Sequence, residues 1–218
     1  MPGIISELGL TIGLFTFTSI YTKTTRIGKD SRQYTPTHVK DELFRLPIKI
    51  YKDGRFTKKL KELKIGDLVD FRGPYRSQAY ESVKKGGFLC IAGGTGIAPM
   101  VRIVENFTEK DDDDAFLVLL YAVSTMGDAI FENWLKQSAK HCCVKIIIYE
   151  SKGSELSSNS LIEIRPGRID EDQFTEFSEF LKRRCDKLTV IACGSRSLEK
   201  NVNNWTKKKQ DIDFIRFC

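Results

Sequence analysis

The sequence predicts an α/β chain in two parts: a partial antiparallel β-barrel, then a doubly wound parallel sheet. Three observations predict it. Residues 88–92 (Phe-Leu-Cys-Ile-Ala) read as a buried strand that runs into the turn Gly93-Gly94-Thr95-Gly96 and then a helix. After residue 84, apolar runs alternate with amphipathic stretches, the pattern of strands separated by covering helices. Before it, short strand-like pieces are broken by Gly, Pro and Lys-rich turns.

Taken in order, strands are predicted over 14–22, 46–52 and 67–72. Thr/Phe alternation from Phe15 to Tyr21 favours a strand; residues 8–21 are too short and too rich in Thr and Ser for a spanning helix, which needs about 20 mostly apolar residues. A short helix after Gly54 carries Phe56, Leu60 and Leu63 on one face. In the second part, strands are expected over 87–92, 115–123, 144–150 and 188–193. Helices are expected near 99–108, 128–139, 171–184 and 196–207. Pro99 suits a first helical turn, where its missing N–H costs nothing, and Met100, Ile103, Val104 and Phe107 follow as one stripe. The Asp111–Asp114 run reads as a solvated loop, since it lacks the alternating ligand spacing of a calcium loop.

At 218 residues and 41% hydrophobic content the chain is globular, not disordered. Six cysteines (Cys90, Cys142, Cys143, Cys185, Cys193, Cys218) show no paired metal spacing, and two histidines make a histidine-based metal site or triad improbable. Reduced thiols in a cytoplasmic setting are expected. No metal is expected. Between Lys49 and Lys64 seven basic residues face two acidic ones, a local balance of +5 against +6 for the whole chain. That stretch reads either as a solvated helix face or as a surface that steers an acidic partner. Nucleic-acid binding is not expected, because stacking aromatics are not interleaved with the basic residues.

A Gly-Gly-Thr-Gly turn alone is weak: it fits a tight connection without a ligand as well as a phosphate cradle at a helix N-terminus. It is not the G-x-G-x-x-G fingerprint, whose third glycine is Pro99 here, nor a Walker loop. Upstream, however, stands Arg32-Gln33-Tyr34-Thr35-Pro36. Ile48-Lys49-Ile50-Tyr51, Gly54-Arg55-Phe56-Thr57, Ile65-Gly66-Asp67, Arg72-Gly73-Pro74 and Cys193-Gly194 follow in order. Together these motifs resemble the ferredoxin–NADP reductase superfamily, and within it the NADH-cytochrome b5 reductase family, over roughly residues 30–218.

The resemblance implies an FAD-binding barrel over residues 1–83 and a Rossmann-like NAD(P)-binding domain over 84–218. It implies an NAD(P)H-dependent flavoprotein reductase, with hydride passing from nicotinamide C4 to flavin N5 and electrons leaving singly to a haem acceptor such as cytochrome b5. In residue terms, Arg32 and the N–H groups of Arg55, Phe56 and Thr57 meet the FAD pyrophosphate. Gln33, Ile48, Lys49, Tyr51 and Gly54 occupy FAD-contacting positions. Tyr34 packs against the flavin, although a core aromatic of the barrel reads the same way. The Thr35 hydroxyl bonds near flavin N5. Gly93, Gly94, Thr95 and Gly96 meet the dinucleotide, and Cys193 with Gly194 sits beside the nicotinamide; as a plain strand-end residue Cys193 is a small hydrophobe. Thr35 and Cys193 are the two positions nearest the chemistry. A monomer is expected, in the cytoplasm, with the cytosolic face of the endoplasmic reticulum as its place of work. The rival reading is a non-catalytic nucleotide-binding remnant, or a module of a longer reductase.

Departures from the family pattern are Ala98 in place of Thr, Arg76-Ser77 after Gly-Pro, and Ser195-Arg196-Ser197 after Cys-Gly. Only 31 residues precede Arg32, so about two barrel strands are expected to be missing. The surface left open should then include alternating residues of 14–22, with Phe15 and Phe17 on one face and Thr16 and Thr18 on the other. On that expectation protease cuts within residues 1–83 before the second part yields. Mass mapping of limited digests checks this: a protected fragment starting near Lys84 is the expected product, and uniform resistance across 14–75 refutes it.

Overall fold

The computed structural model describes residues 5–11, 22–27, 30–40, 43–64, 67, 69–75, 86–109, 114–153, 157–158 and 161–217. The chain divides into two compact units, Met1–Ser77 and Gln78–Cys218.

The first unit is antiparallel. Strands β1 (Ile5–Thr11), β5 (Leu43–Lys49) and β4 (His38–Lys40) form one three-stranded sheet in the order β1-β5-β4. A second sheet has the order β3-β2-β6, from β2 (Thr22–Ile27), β3 (Asp30–Tyr34) and β6 (Asp70–Tyr75). Helix α1 (Arg55–Glu62) buries Phe56 and Leu60 against Phe44, Leu46 and Ile48. The i, i+2 spacing of those three strand residues puts them on one face of β5. Leu63 packs against the same cluster, as its helical spacing predicts.

Two strands are shifted from expectation for local reasons. Strand β5 ends at Lys49, and Tyr51 donates its N–H to the Thr57 hydroxyl (3.2 Å), so the chain turns there. Strand β6 starts at Asp70, because Asp67 is used in a turn in which its carboxylate accepts the Lys64 N–H at 2.7 Å. The expected strand over 14–22 lies outside the described residues except for Thr22, as do Arg76-Ser77 and Asp111–Asp113.

The second unit holds a seven-stranded sheet. Its members are β7 (Gly87–Gly93), β8 (Phe116–Val123), β9 (Val144–Glu150), β10 (Ser157–Ser158), β11 (Ile162–Pro166), β12 (Leu188–Cys193) and β13 (Ile212–Arg216). The order is β10-β11-β9-β8-β7-β12-β13, with β10 antiparallel and the other six parallel. Alternate residues face opposite sides. Phe88, Cys90, Leu117, Leu119, Ile146 and Ile148 meet α2 (Ile97–Thr108) and α3 (Glu132–Ser138). Leu89, Ile91, Val118, Leu120 and Ile147 meet α4 (Glu171–Lys182) and α5 (Arg196–Lys207). A sheet buried on both faces accounts for the near-continuous apolar runs in the sequence.

Helix α3 is shorter than the periodicity predicts. Met126–Asp128 form a tight 3-10 turn and Phe131 adopts a left-handed backbone (φ 63°), so helical geometry begins only at Glu132. Helix α4 starts on a reciprocal cap. Asp170 Oδ1 accepts the Asp172 and Gln173 N–H groups, and Gln173 Oε1 accepts that of Asp170. None of the described helices is long and apolar enough to cross a membrane.

Candidate functional site

Each unit holds one group of the motif residues. In the first, β3 and α1 bring the motif residues together. Alternation along β3 puts Arg32 and Tyr34 on one face, toward Phe56. The Tyr34 and Phe56 rings stack at 6.2 Å, and the Arg32 guanidinium lies 6.0 Å from the Phe56 ring centre. Gln33 is exposed, and Thr35 is buried just past the strand end. Burial pushes the Tyr34 phenol up to about 12, with Arg32 opposing, so its hydroxyl stays protonated and able to donate.

The turn into α1 is built around Gly54. A Cβ there would collide with the Thr57 hydroxyl, which accepts from Tyr51 N–H and donates to the Gly54 carbonyl at 3.3 Å. Gly54 supplies no side-chain cap, so the N–H groups of Arg55, Phe56 and Thr57 are left uncapped by any side chain at the positive end of the helix. Ile48 and the Phe56 side chain belong to the core, and Lys49 is half-buried. Tyr51 is 54% exposed.

In the second unit the chain leaves β7 toward β8, β9 and β11 on one side, then returns to β12 on the other. The reversal falls between β7 and β12, where ligands bind at the carboxyl ends of such sheets. Gly93–Gly96 and Cys193-Gly194 meet at that point. Gly94 takes a left-handed backbone (φ 54°) with open space where a Cβ would point. Gly96 cannot carry a Cβ: it would overlap the Cys193 carbonyl and lie 2.9 Å from the Gly194 nitrogen. Helix α2 then starts at Ile97, with no side-chain cap and no acidic residue in its first turn. Pro99 is its third residue, where the N–H has no intrahelical partner to lose. Thr95 is half-buried in the turn. Cys193 is buried and belongs to the same core cluster as Ile97, Tyr121 and Ile191.

Family models decide what this arrangement belongs to. The model of the oxidoreductase FAD-binding domain matches residues 1–80, and that of the oxidoreductase NAD-binding domain matches residues 90–204. The chain belongs to the NADH-cytochrome b5 reductase family. It is 33% identical to NADH-cytochrome b5 reductase 1 of Scheffersomyces stipitis, over 89% of this chain and 66% of that protein. It is 26% identical to the human NADH-cytochrome b5 reductase-like protein, over 78% of this chain and 55% of that one. The chain thus spans between about half and two thirds of these relatives. The fold matches the cytochrome b5 reductase domain of Ulva prolifera nitrate reductase at a TM-score of 0.68 and 22% identity, covering 89% of this chain and 83% of that one.

The residues present fit both groups the family uses. The uncapped α1 start with Arg32 beside it suits a pyrophosphate, and the left-handed, open Gly94 before the uncapped α2 start suits a second one.

Two further carboxylates act at the sheet edge, and the motifs gave no sign of the second. Glu150 ends β9, and its Oε1 accepts the Met126 N–H at 2.8 Å, which holds the turn after β8. Glu199 lies in the first turn of α5, 2% exposed; its Oε1 accepts the Gly194 N–H at 3.2 Å and its Oε2 pairs with Arg216 Nε at 2.7 Å. A charged residue on the helix face that also carries Val202 and Trp205 was the available signal. Where the sequence departs from the proline-rich continuation, Ser195 caps α5 by accepting the Leu198 N–H at 3.3 Å. At the opposite edge, on the turn entering β9, His141, Cys142 and Cys143 bring ligand atoms within 4.8 Å of one another. There His141 Nδ1 already accepts the Cys143 N–H.

Proposed function

We propose that this chain is an FAD-dependent NAD(P)H oxidoreductase that passes electrons to a haem protein with an acidic surface, such as cytochrome b5. Its flavin-binding domain runs over residues 1–83 and its nucleotide-binding domain over 84–218. The observation that carries the reading is the meeting of Gly94–Gly96 with Cys193-Gly194 at the topological switch point of a matched NAD-binding domain. FAD, when bound, supplies the redox chemistry by accepting hydride and releasing electrons singly. The chain's part is binding and alignment. Arg32 and the α1 N–H groups hold the flavin pyrophosphate, Tyr34 packs against the ring system, and the Thr35 hydroxyl bonds near N5. The Gly94–Gly96 backbone and Thr95 take the dinucleotide phosphates, and Cys193 aligns the nicotinamide without acting as a nucleophile.

Lys52, Arg55, Lys58 and Lys61 are exposed on and before α1, which supports an acidic partner for the electrons. The protein works as a monomer from the cytoplasm or the cytosolic face of the endoplasmic reticulum. Purifying the chain and recording its visible spectrum tests the reading, followed by NADH-driven reduction of ferricyanide and of cytochrome b5. A yellow protein that reduces both is expected. A colourless protein that still binds dinucleotide would leave only the nucleotide-binding remnant.

Selection between NADH and NADPH should be weak. The Glu150 carboxylate, which would repel a 2′-phosphate, is engaged by Met126, while Ser151 and Lys152 are exposed beside it. Steady-state kinetics with both nucleotides checks this. A preference for NADH beyond about a hundredfold, roughly 2.7 kcal/mol, would overturn it.

A further inference from the structure

Two helices begin at the carboxyl edge of the second unit's sheet on either side of the switch point, and their first turns are opposites. Helix α2 has no side-chain cap and no acidic residue there. Helix α5 is capped by the Ser195 hydroxyl on the Leu198 N–H, and its first turn carries the carboxylate of Glu199. That carboxylate is buried, and burying a charge is costly even when it is paired.

What Glu199 holds is local and specific. One oxygen accepts the Gly194 N–H, the first backbone donor after Cys193. The other is pinned by Arg216, which stands opposite Ala192 in the β12–β13 register. One side chain thereby ties α5, the end of β12 and the outermost strand together. It also puts negative charge under the Cys193-Gly194 backbone and removes that segment's N–H from any phosphate.

We propose that Glu199 is a positioning residue that sets the direction in which a dinucleotide lies across the switch point: it closes the β12 end to phosphate and fixes the Cys193-Gly194 backbone for the nicotinamide ring. The phosphates are left to the open α2 start. This rests on the reading of Gly94–Gly96 and Cys193-Gly194 as the dinucleotide site.

The test compares NAD+ with ADP-ribose, which keeps the phosphates and lacks the nicotinamide, by calorimetry on the full chain. Glu199→Leu leaves the Gly194 N–H without its acceptor and should weaken NAD+ about tenfold while changing ADP-ribose less than about twofold. Glu199→Gln keeps an oxygen for that N–H and should hold NAD+ within about threefold of the unaltered chain. Equal loss of both ligands in a folded Glu199→Leu protein, or no loss of either, overturns the proposal. Should Glu199→Leu fail to fold, Arg216→Leu decides: loss confined to NAD+ supports the assignment, and unchanged or equal loss refutes it. An unaltered chain that binds neither ligand overturns the parent reading as well. Binding by the unaltered chain with no effect of Glu199→Leu removes the positioning role alone.

Discussion

Replacing Gly96 with alanine should destabilise the second unit by about 3 kcal/mol, the upper part of the range for forcing extra volume into a packed site. The new Cβ would overlap the Cys193 carbonyl oxygen and lie 2.6 Å from its carbon and 2.9 Å from the Gly194 nitrogen. All three are backbone atoms at a strand end, so none can rotate away. Either the turn after β7 or the end of β12 must move, and both belong to the proposed dinucleotide site. Gly94→Ala makes the informative contrast. Its backbone is left-handed, which costs an L-residue about 1–2 kcal/mol, but a Cβ there has nothing within 4 Å to strike. The expected order of damage is therefore Gly96→Ala well above Gly94→Ala. Urea unfolding followed by tryptophan fluorescence reads it directly, since Trp134 and Trp205 both lie in the second unit. Equal midpoints for the two variants would remove the claim that the β7 turn and the β12 end are wedged together.

Arg32→Ala should weaken FAD binding roughly tenfold to a hundredfold, whereas Tyr34→Phe should change it by no more than a few-fold. A guanidinium bonded to a charged phosphate contributes about twice what a neutral pair does, some 1.5–3 kcal/mol. The Tyr34 contribution is mainly its ring. That ring is retained in Tyr34→Phe, along with its stacking on Phe56. Burial keeps the phenol protonated, its pKa raised from 10.0 to about 12, so the small Tyr34→Phe effect should not change between pH 6 and pH 9. Flavin-to-protein absorbance ratios of the purified variants measure both. Comparable occupancy in the two would refute the assignment of Arg32 to the pyrophosphate.

Some elements were legible in the chain because one local signal sufficed. The central strands β7, β8, β9 and β12 are buried on both faces, so their apolar runs stand out, and each was placed to within about a residue. Helix α5 was placed at both ends. The outer strands β11 and β13 were not predicted. They mix charge with apolar residues (Ile-Glu-Ile-Arg-Pro and Ile-Asp-Phe-Ile-Arg), and most of their side chains are half-exposed. In the first unit, β2 and β3 are polar strands whose pairing with each other and with β6 is not written in their own composition.

The sequence by itself determined the family and the order of the two matched domains, because glycine turns, helix starts and buried runs are local properties. The tertiary structure decided what the motif residues are pressed against. Gly96 and Cys193 are 97 positions apart, and their contact exists because β7 and β12 are neighbours in the sheet. Glu150 ends β9 with a carboxylate that holds the Met126 N–H, 24 positions away, because the ends of β8 and β9 lie side by side. Glu199 reads as one more charge on a helix; only the fold buries it between the Gly194 N–H and Arg216. A residue's charge is local, but whether that charge is desolvated, and by which partner it is neutralised, depends on elements that meet only when the chain is folded.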